Sequence, residues 1–171
     1  VDAVAWVEVA PDDDTHFYNQ ERDKYYDARG HGVFPIGKIH KVVVEGLQPG
    51  TTYRYRIMNK GVTAYNGSGN VEYTKGNGTD VHRGSAFEIT TLKKDYETLR
   101  FDIFNDIHGK DSLFQTILAG ARDNRDFVFL NGDMTSNISS EDLIAKMYLK
   151  SAAKSLNGGI PMFASRGNHE L

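Results

Sequence analysis

Phe127-Val128-Phe129-Leu130-Asn131-Gly132-Asp133 runs from four uninterrupted apolar residues into a carboxamide, a glycine and a carboxylate. An apolar run without alternation is the pattern of a strand in a parallel sheet, covered on both faces. Before it, residues 100–104 form a second short strand, and residues 111–122 place apolar side chains at 113, 114, 117 and 118, the spacing of a helix. After it, Ser139-Ser140-Glu141-Asp142 has the form of a capping box ahead of a helix over 143–156. The pair Gly158-Gly159 stops that helix, and residues 160–164 make a third strand. Strand, helix, strand, helix, strand with short links predicts an α/β layered fold, its strands parallel because each crossover is a helix.

The first 94 residues follow a different period. Trp6 and Glu8 alternate with Val7 and Val9, and Lys41-Val42-Val43-Val44 lead to Gly46. Tyr53-Arg54-Tyr55-Arg56-Ile57 and Ala86-Phe87-Glu88-Ile89-Thr90 complete the set. These read as antiparallel strands between Gly, Asn and Pro turns, with residues 66–79, rich in glycine, as a mobile hairpin or loop. In Leu47-Gln48-Pro49-Gly50-Thr51-Thr52-Tyr53 a Pro-Gly turn delivers a tyrosine just inside a strand. That is similar to the tyrosine corner of fibronectin type III and immunoglobulin-like sandwiches, whose hydroxyl bonds back to upstream backbone. Such a sandwich needs about seven strands, and four or five are visible, so the sandwich is expected to be incomplete. Lys93-Lys94-Asp95 is the linker. The expected organisation is a β-sandwich over 1–94 and an α/β segment over 98–171, α+β overall.

Composition narrows the chemistry. The net charge is −3, and no like-charge run exceeds Asp12-Asp13-Asp14, so nothing points to a nucleic-acid surface. There is no cysteine, which removes disulfides, thiolate ligands and a cysteine nucleophile together. Any metal must use Asp, Glu, His or Asn. No stretch reaches the ~20 apolar residues of a membrane span. The opening Val1-Asp2-Ala3-Val4-Ala5-Trp6 already reads as a strand, with no initiator Met or signal-peptide start. A chain cut from a longer one is therefore expected, its targeting signal outside the sequence.

Ligands of open α/β sheets sit beyond the carboxyl ends of the strands. There the first strand runs into Asn105-Asp106-Ile107-His108-Gly109, the second into Asn131-Gly132-Asp133, and the third into Gly167-Asn168-His169-Glu170. The glycines let the backbone turn sharply so that neighbouring side chains face one cavity. A Gly-Asn-His-acid run should arise by chance in on the order of one chain of this length per thousand.

These residues resemble the calcineurin-like metallophosphoesterases, whose signature runs D-x-H, then G-D, then G-N-H-D/E. The resemblance covers roughly residues 99 to 171, and the sandwich before it is similar to the N-terminal domain of purple acid phosphatases. It implies the first part of a metal-dependent phosphoester hydrolase, a phosphatase or a phosphodiesterase. Asp106 and His108 would ligate one metal, Asp133 would bridge two, and Asn168 would offer its carbonyl oxygen to the second. His169 would contact the phosphate and help the leaving group depart. Two cations a few Å apart need a shared carboxylate, and a water between them becomes a hydroxide nucleophile near neutral pH. Oxygen and imidazole ligands suit Fe, Mn, Zn or Mg. Ser136 stands where purple acid phosphatases carry a tyrosine, and His108 replaces their glycine, so no purple colour is expected. The family completes its site with later histidines, and no His follows His169. The expectation is a partial site, with weak metal binding and little hydrolysis by this segment alone.

Other candidates read more plainly. His16, His31, His40 and His82 lack ligand spacing and are expected in surface or strand packing. Tyr25, Tyr26, Tyr53, Tyr55, Tyr65 and Tyr73 fill strand surfaces, with a sugar-binding face as the alternative. Asp102 is expected as a pairing or edge residue, and Arg166 serves either a surface or a phosphate. The alternative function is a sandwich that binds a glycan or a protein, attached to a non-catalytic scaffold. An exposed sheet edge would make the segment self-associate. By analogy of architecture the protein is secreted or periplasmic.

Overall fold

The computed structural model describes residues 1–27, 35–67, 69–120 and 124–170. His31 and the 121–122 end of the expected first helix lie outside the described residues. The chain divides into two compact units, Val1–Glu88 and Ile89–Leu171.

The first unit is a sandwich-like sheet in which β1 (Ala3–Pro11) pairs antiparallel with β2 (Asp23–Tyr26) and β3 (Thr52–Asn66). β3 also pairs antiparallel with β4 (Asn70–Tyr73) and β5 (Asn77–Gly78), and it pairs with β6 (Phe87–Thr90). The period-two pattern sets the register: Trp6 lies opposite Tyr26 and Met58, and Glu8 opposite Lys24 and Arg56. Glu8 and Arg56 are both buried and joined at 2.7 Å, Nε to Oε2, with the guanidinium 4.4 Å from the Tyr18 ring centre and 5.1 Å from that of Phe17. The Gln48 N–H donates to the Tyr53 hydroxyl at 2.9 Å, the bond expected of a tyrosine corner.

One expected strand does not form. Residues 41–44 contribute a single bridge, Val42 to Asp27. The reason is local: the buried Asp27 carboxylate accepts the Lys41 N–H at 3.1 Å and lies 3.4 Å from the His40 ring, so a side chain takes the donor that a ladder would use. Residues 66–79 form the hairpin rather than the loop, turning where Gly67 and Gly69 supply positive φ.

The second unit contains the expected alternation: β7 (Phe101–Phe104), α1 (Asp111–Gly120), β8 (Phe127–Asn131), α2 (Glu141–Ile144), α3 (Lys150–Leu156) and β9 (Met162–Ser165). The strands lie in the order β7-β8-β9, all parallel, with Phe104 beside Leu130 and Leu130 beside Ala164. Ser140 caps α2, its Oγ accepting the Leu143 N–H at 3.2 Å. Between α2 and α3 the chain widens into a π turn, Ala145–Leu149, where the Lys150 N–H reaches back to the Ala145 carbonyl. Asn157, in the left-handed conformation at φ 47°, ends α3 one residue before the glycine pair expected to do so.

Phe104, Val128 and Leu130 bury one sheet face against Phe114 and Leu118 of α1 and Ala152 and Leu156 of α3. The opposite face corrects the expectation of cover on both sides. There Phe101, Ile103 and Phe163 are 45%, 52% and 47% exposed, and Phe101 stacks on Phe127 at 4.7 Å. Among the described residues no helix is long and apolar enough to cross a membrane.

Candidate metal centre

The first two strands of the second unit hand their chain to turns that ordinary residues avoid. Among the described residues five that are not glycine have positive φ, and three of them are Asp106 at 57°, His108 at 51° and Asp133 at 53°. The left-handed region is costly for such side chains, and strain of this kind gathers at functional sites. It is held by a short ladder between the first two turns. The Asp106 N–H donates to the Gly132 carbonyl at 3.3 Å, that of His108 to Asp133 at 2.9 Å, and that of Gly109 to Met134 at 2.8 Å. Gly109, itself at φ 69°, lies against Met147 of the π turn, where a β-carbon would come within 3.1 Å of the sulfur.

The result is convergence. One ring nitrogen each of His108 and His169 and one carboxylate oxygen of Asp133 lie within 4.8 Å of one another. The two imidazoles pack edge to face with centres 4.6 Å apart. Asp106 stays at the rim, 61% exposed, its Oδ1 3.6 Å from Nε2 of His108 and its Oδ2 accepting from Asn105 at 2.6 Å. Asn168 begins the short turn Asn168–Glu170, directly before His169. Thus His108, Asp133 and His169 come together, with Asp106 alongside. The resemblance keeps His169 apart from the metals, whereas the geometry lets its free nitrogen serve either as a ligand or as a proton carrier.

That nitrogen is defined by the backbone. His169 Nδ1 lies 3.0 Å from the Ser136 carbonyl, which can only accept, so Nδ1 carries the proton and Nε2 keeps its lone pair. The Ser136 hydroxyl donates to the His108 carbonyl at 2.9 Å, and the His169 N–H donates to Oδ1 of Asp133 at 2.9 Å. Ser136 therefore holds both histidines. The sequence shows it only as a missing tyrosine, because a backbone carbonyl leaves no mark in the residue pattern. Burial pushes the Glu170 carboxyl upward, but the backbone N–H groups of Thr135, Gly167, Asp133 and Met134 outweigh it and hold the group below the usual glutamate range. Burial, then the Glu170 charge, raises the nearby Tyr148 hydroxyl.

The donor set fits a hard or borderline cation: carboxylate, imidazole and carboxamide, at one sheet edge, without thiolate. The remaining candidates fall elsewhere. Asp102 pairs with Arg125 at 3.3 Å, Arg166 is exposed, and His16 and His82 face each other at 5.3 Å beside Tyr18. No other group of three acidic or histidine ligands forms among the described residues.

Comparison with known proteins agrees with both resemblances. Residues 99–171 match the family described as calcineurin-like phosphoesterase, and residues 2–74 match the purple acid phosphatase N-terminal domain. The fold resembles that of a purple acid phosphatase, PPD1, from yellow lupin (Lupinus luteus) seeds, with a TM-score of 0.54 and 16% identity. The match covers 98% of this chain and 31% of that one. The chain thus spans about a third of the length of that structure. No curated protein matches the chain.

Proposed function

We propose that a chain joining a purple-acid-phosphatase-type sandwich to a calcineurin-like phosphoesterase segment is part of a two-metal phosphoester hydrolase. The observation that carries this reading is the set of strained turns that bring Asp106, His108 and Asp133 to one sheet edge beside His169. Asp106 and His108 would hold the first metal, Asp133 would lie between two, and Asn168 would reach the second. Bound metals would supply Lewis-acid charge at the phosphoryl oxygens and acidify a water toward neutral pH. His169, its Nδ1 proton held by the Ser136 carbonyl, would take up a proton from solvent at Nε2 and, as the imidazolium, pass that proton to the departing oxygen. The substrates are phosphoesters, mono- or diesters, and the metals are drawn from Fe, Mn, Zn and Mg.

Ligands beyond this chain would complete the second metal, so residues 1–94 and 98–171 form a sandwich and the opening part of the hydrolase. In that reading the segment alone hydrolyses little, and the exposed Phe101, Ile103 and Phe163 face makes it self-associate, which sedimentation velocity would register. The protein is secreted or periplasmic. Measuring bound metal on the chain, on its extension to the natural C-terminus, and on Asp133→Ala tests the reading. Equal metal content in all three would sink it.

One observation favours the binding-module reading. Trp6 and Tyr26 stack at 5.8 Å on the sheet and, with Lys24, Lys60 and Tyr73, line a hollow of about 380 Å³. Trp6 is the only tryptophan, so its fluorescence would report an occupant directly. Unchanged emission across panels of oligosaccharides would remove that alternative for glycans.

A further inference from the structure

Glu170 closes the phosphoesterase motif, yet nothing in the chemistry above uses its carboxylate. Its partners are backbone amides and one hydroxyl. Its Oε2 accepts the N–H of Asp133 at 2.8 Å and that of Gly167 at 2.8 Å, while Oε1 accepts the N–H of Thr135 at 3.0 Å and lies 3.4 Å from the Thr135 hydroxyl. One side chain thus satisfies amides from two separate turns, those that follow β8 and β9. The turns also interlock sterically: a β-carbon on Gly132 would lie 2.7 Å from the nitrogen of Gly167. Between those anchors sits Asp133 at φ 53°, a conformation it would not hold unaided.

The geometry points to Glu170 as the positioning residue of the proposed metal centre, holding Asp133 in its left-handed turn so that the carboxylate faces His108 and His169. This rests on the functional reading above. A charged acceptor is suited to the task, because hydrogen bonds from neutral amides to a carboxylate are about twice as strong as neutral pairs, and two oxygens can serve two turns at once. Asn168 and His169 share the short turn that ends at Glu170, so the same clasp sets their place relative to Asp133. The His169 N–H donating to Asp133 Oδ1 returns the link in the other direction.

Glu170→Gln tests it, in the protein extended to its natural C-terminus. The amide keeps the shape and one accepting oxygen but turns an NH₂ donor toward one or more N–H groups. Manganese(II) alone is titrated calorimetrically, well below the unfolding midpoint, against wild type. The expected result is at least about a tenfold weaker Mn(II) affinity, the scale on which outer partners of metal ligands act. Turnover of p-nitrophenyl phosphate should fall through kcat with KM little changed. A merely structural role would lower the unfolding midpoint and leave the affinity of the folded protein where it was. An affinity of the Glu170→Gln variant within about twofold of wild type, well short of that scale, would overturn the assignment and leave the functional reading intact. Wild type that binds no Mn(II) would overturn both. Should the variant not fold, amide hydrogen exchange on wild type decides: slow exchange at Asp133, Thr135 and Gly167 supports the clasp, and exchange at the rate of exposed loops refutes it.

Discussion

Gly167 and Asp133 approach so closely that a β-carbon on Gly167 would lie 2.6 Å from both the backbone nitrogen and the carboxyl carbon of Asp133. No real β-carbon tolerates that, and the obstacle includes backbone, so one of the two turns must move. Gly167→Ala should therefore cost about 1–3 kcal/mol in urea unfolding, the usual range for overpacking. It should also weaken Mn(II) binding at least about tenfold, since Asp133 is the residue displaced. A variant with wild-type affinity would mean that the two turns slide freely.

The Glu8 and Arg56 pair lies in the first unit with both partners buried. Glu8→Ala leaves the guanidinium without its counter-ion and frees the Trp6 indole N–H, which donates to Glu8 at 3.1 Å. Loss of a buried partner costs about 3–5 kcal/mol. Unfolding followed by Trp6 fluorescence should register this as a large drop in midpoint, whereas a loss under about 1 kcal/mol, the scale of an exposed pair, would show that water already reaches the two groups.

Tyr53→Phe removes only the oxygen that accepts the Gln48 N–H. A loss of about 0.5–1.5 kcal/mol is expected, toward the low end because the bond is exposed. Urea unfolding of the chain measures it. A neutral substitution would make the corner a consequence of the Pro-Gly turn rather than a fastener of it.

Asp13 gives a pH handle away from the site. The Thr15 hydroxyl and backbone N–H bond its carboxylate and, with the Arg54 charge, hold its pKa below the ordinary aspartate value. The sign follows: a depressed folded pKa stabilises above the unfolded value, and that contribution disappears as pH falls through the folded one. Carboxyl carbon NMR should find the Asp13 midpoint below that of a model aspartate, and Thr15→Ala should move it upward. An unchanged midpoint would mean that the turn does not persist in solution.

Much of the second unit is legible in the sequence because each local cue agrees with the next. The apolar run before Asn131, the Ser140 cap and the helical spacing after Asp111 need no distant partner, and together they dictate parallel strands with one ligand-bearing edge. What escapes depends on contacts across the chain. Asp27 takes the Lys41 amide and prevents a strand for which Val42-Val43-Val44 carries every local mark. The π turn that sets Met147 against Gly109 has no signature in residue order. In the site, the motif residues are visible as chemistry, but the roles of the Ser136 carbonyl and the Glu170 carboxylate are not. Both act on backbone or through backbone, where one residue type looks much like another.

The most direct measurement is Mn(II)- and chelator-dependent hydrolysis of p-nitrophenyl phosphate and bis(p-nitrophenyl) phosphate by the protein extended to its natural C-terminus, with Asp133→Ala beside it. Turnover that requires metal and falls at least about 100-fold without the shared carboxylate is the predicted result. Turnover indifferent to chelator or to Asp133, or none at all in a folded, metal-supplied protein, would contradict the assignment of this sheet edge as a phosphoesterase centre.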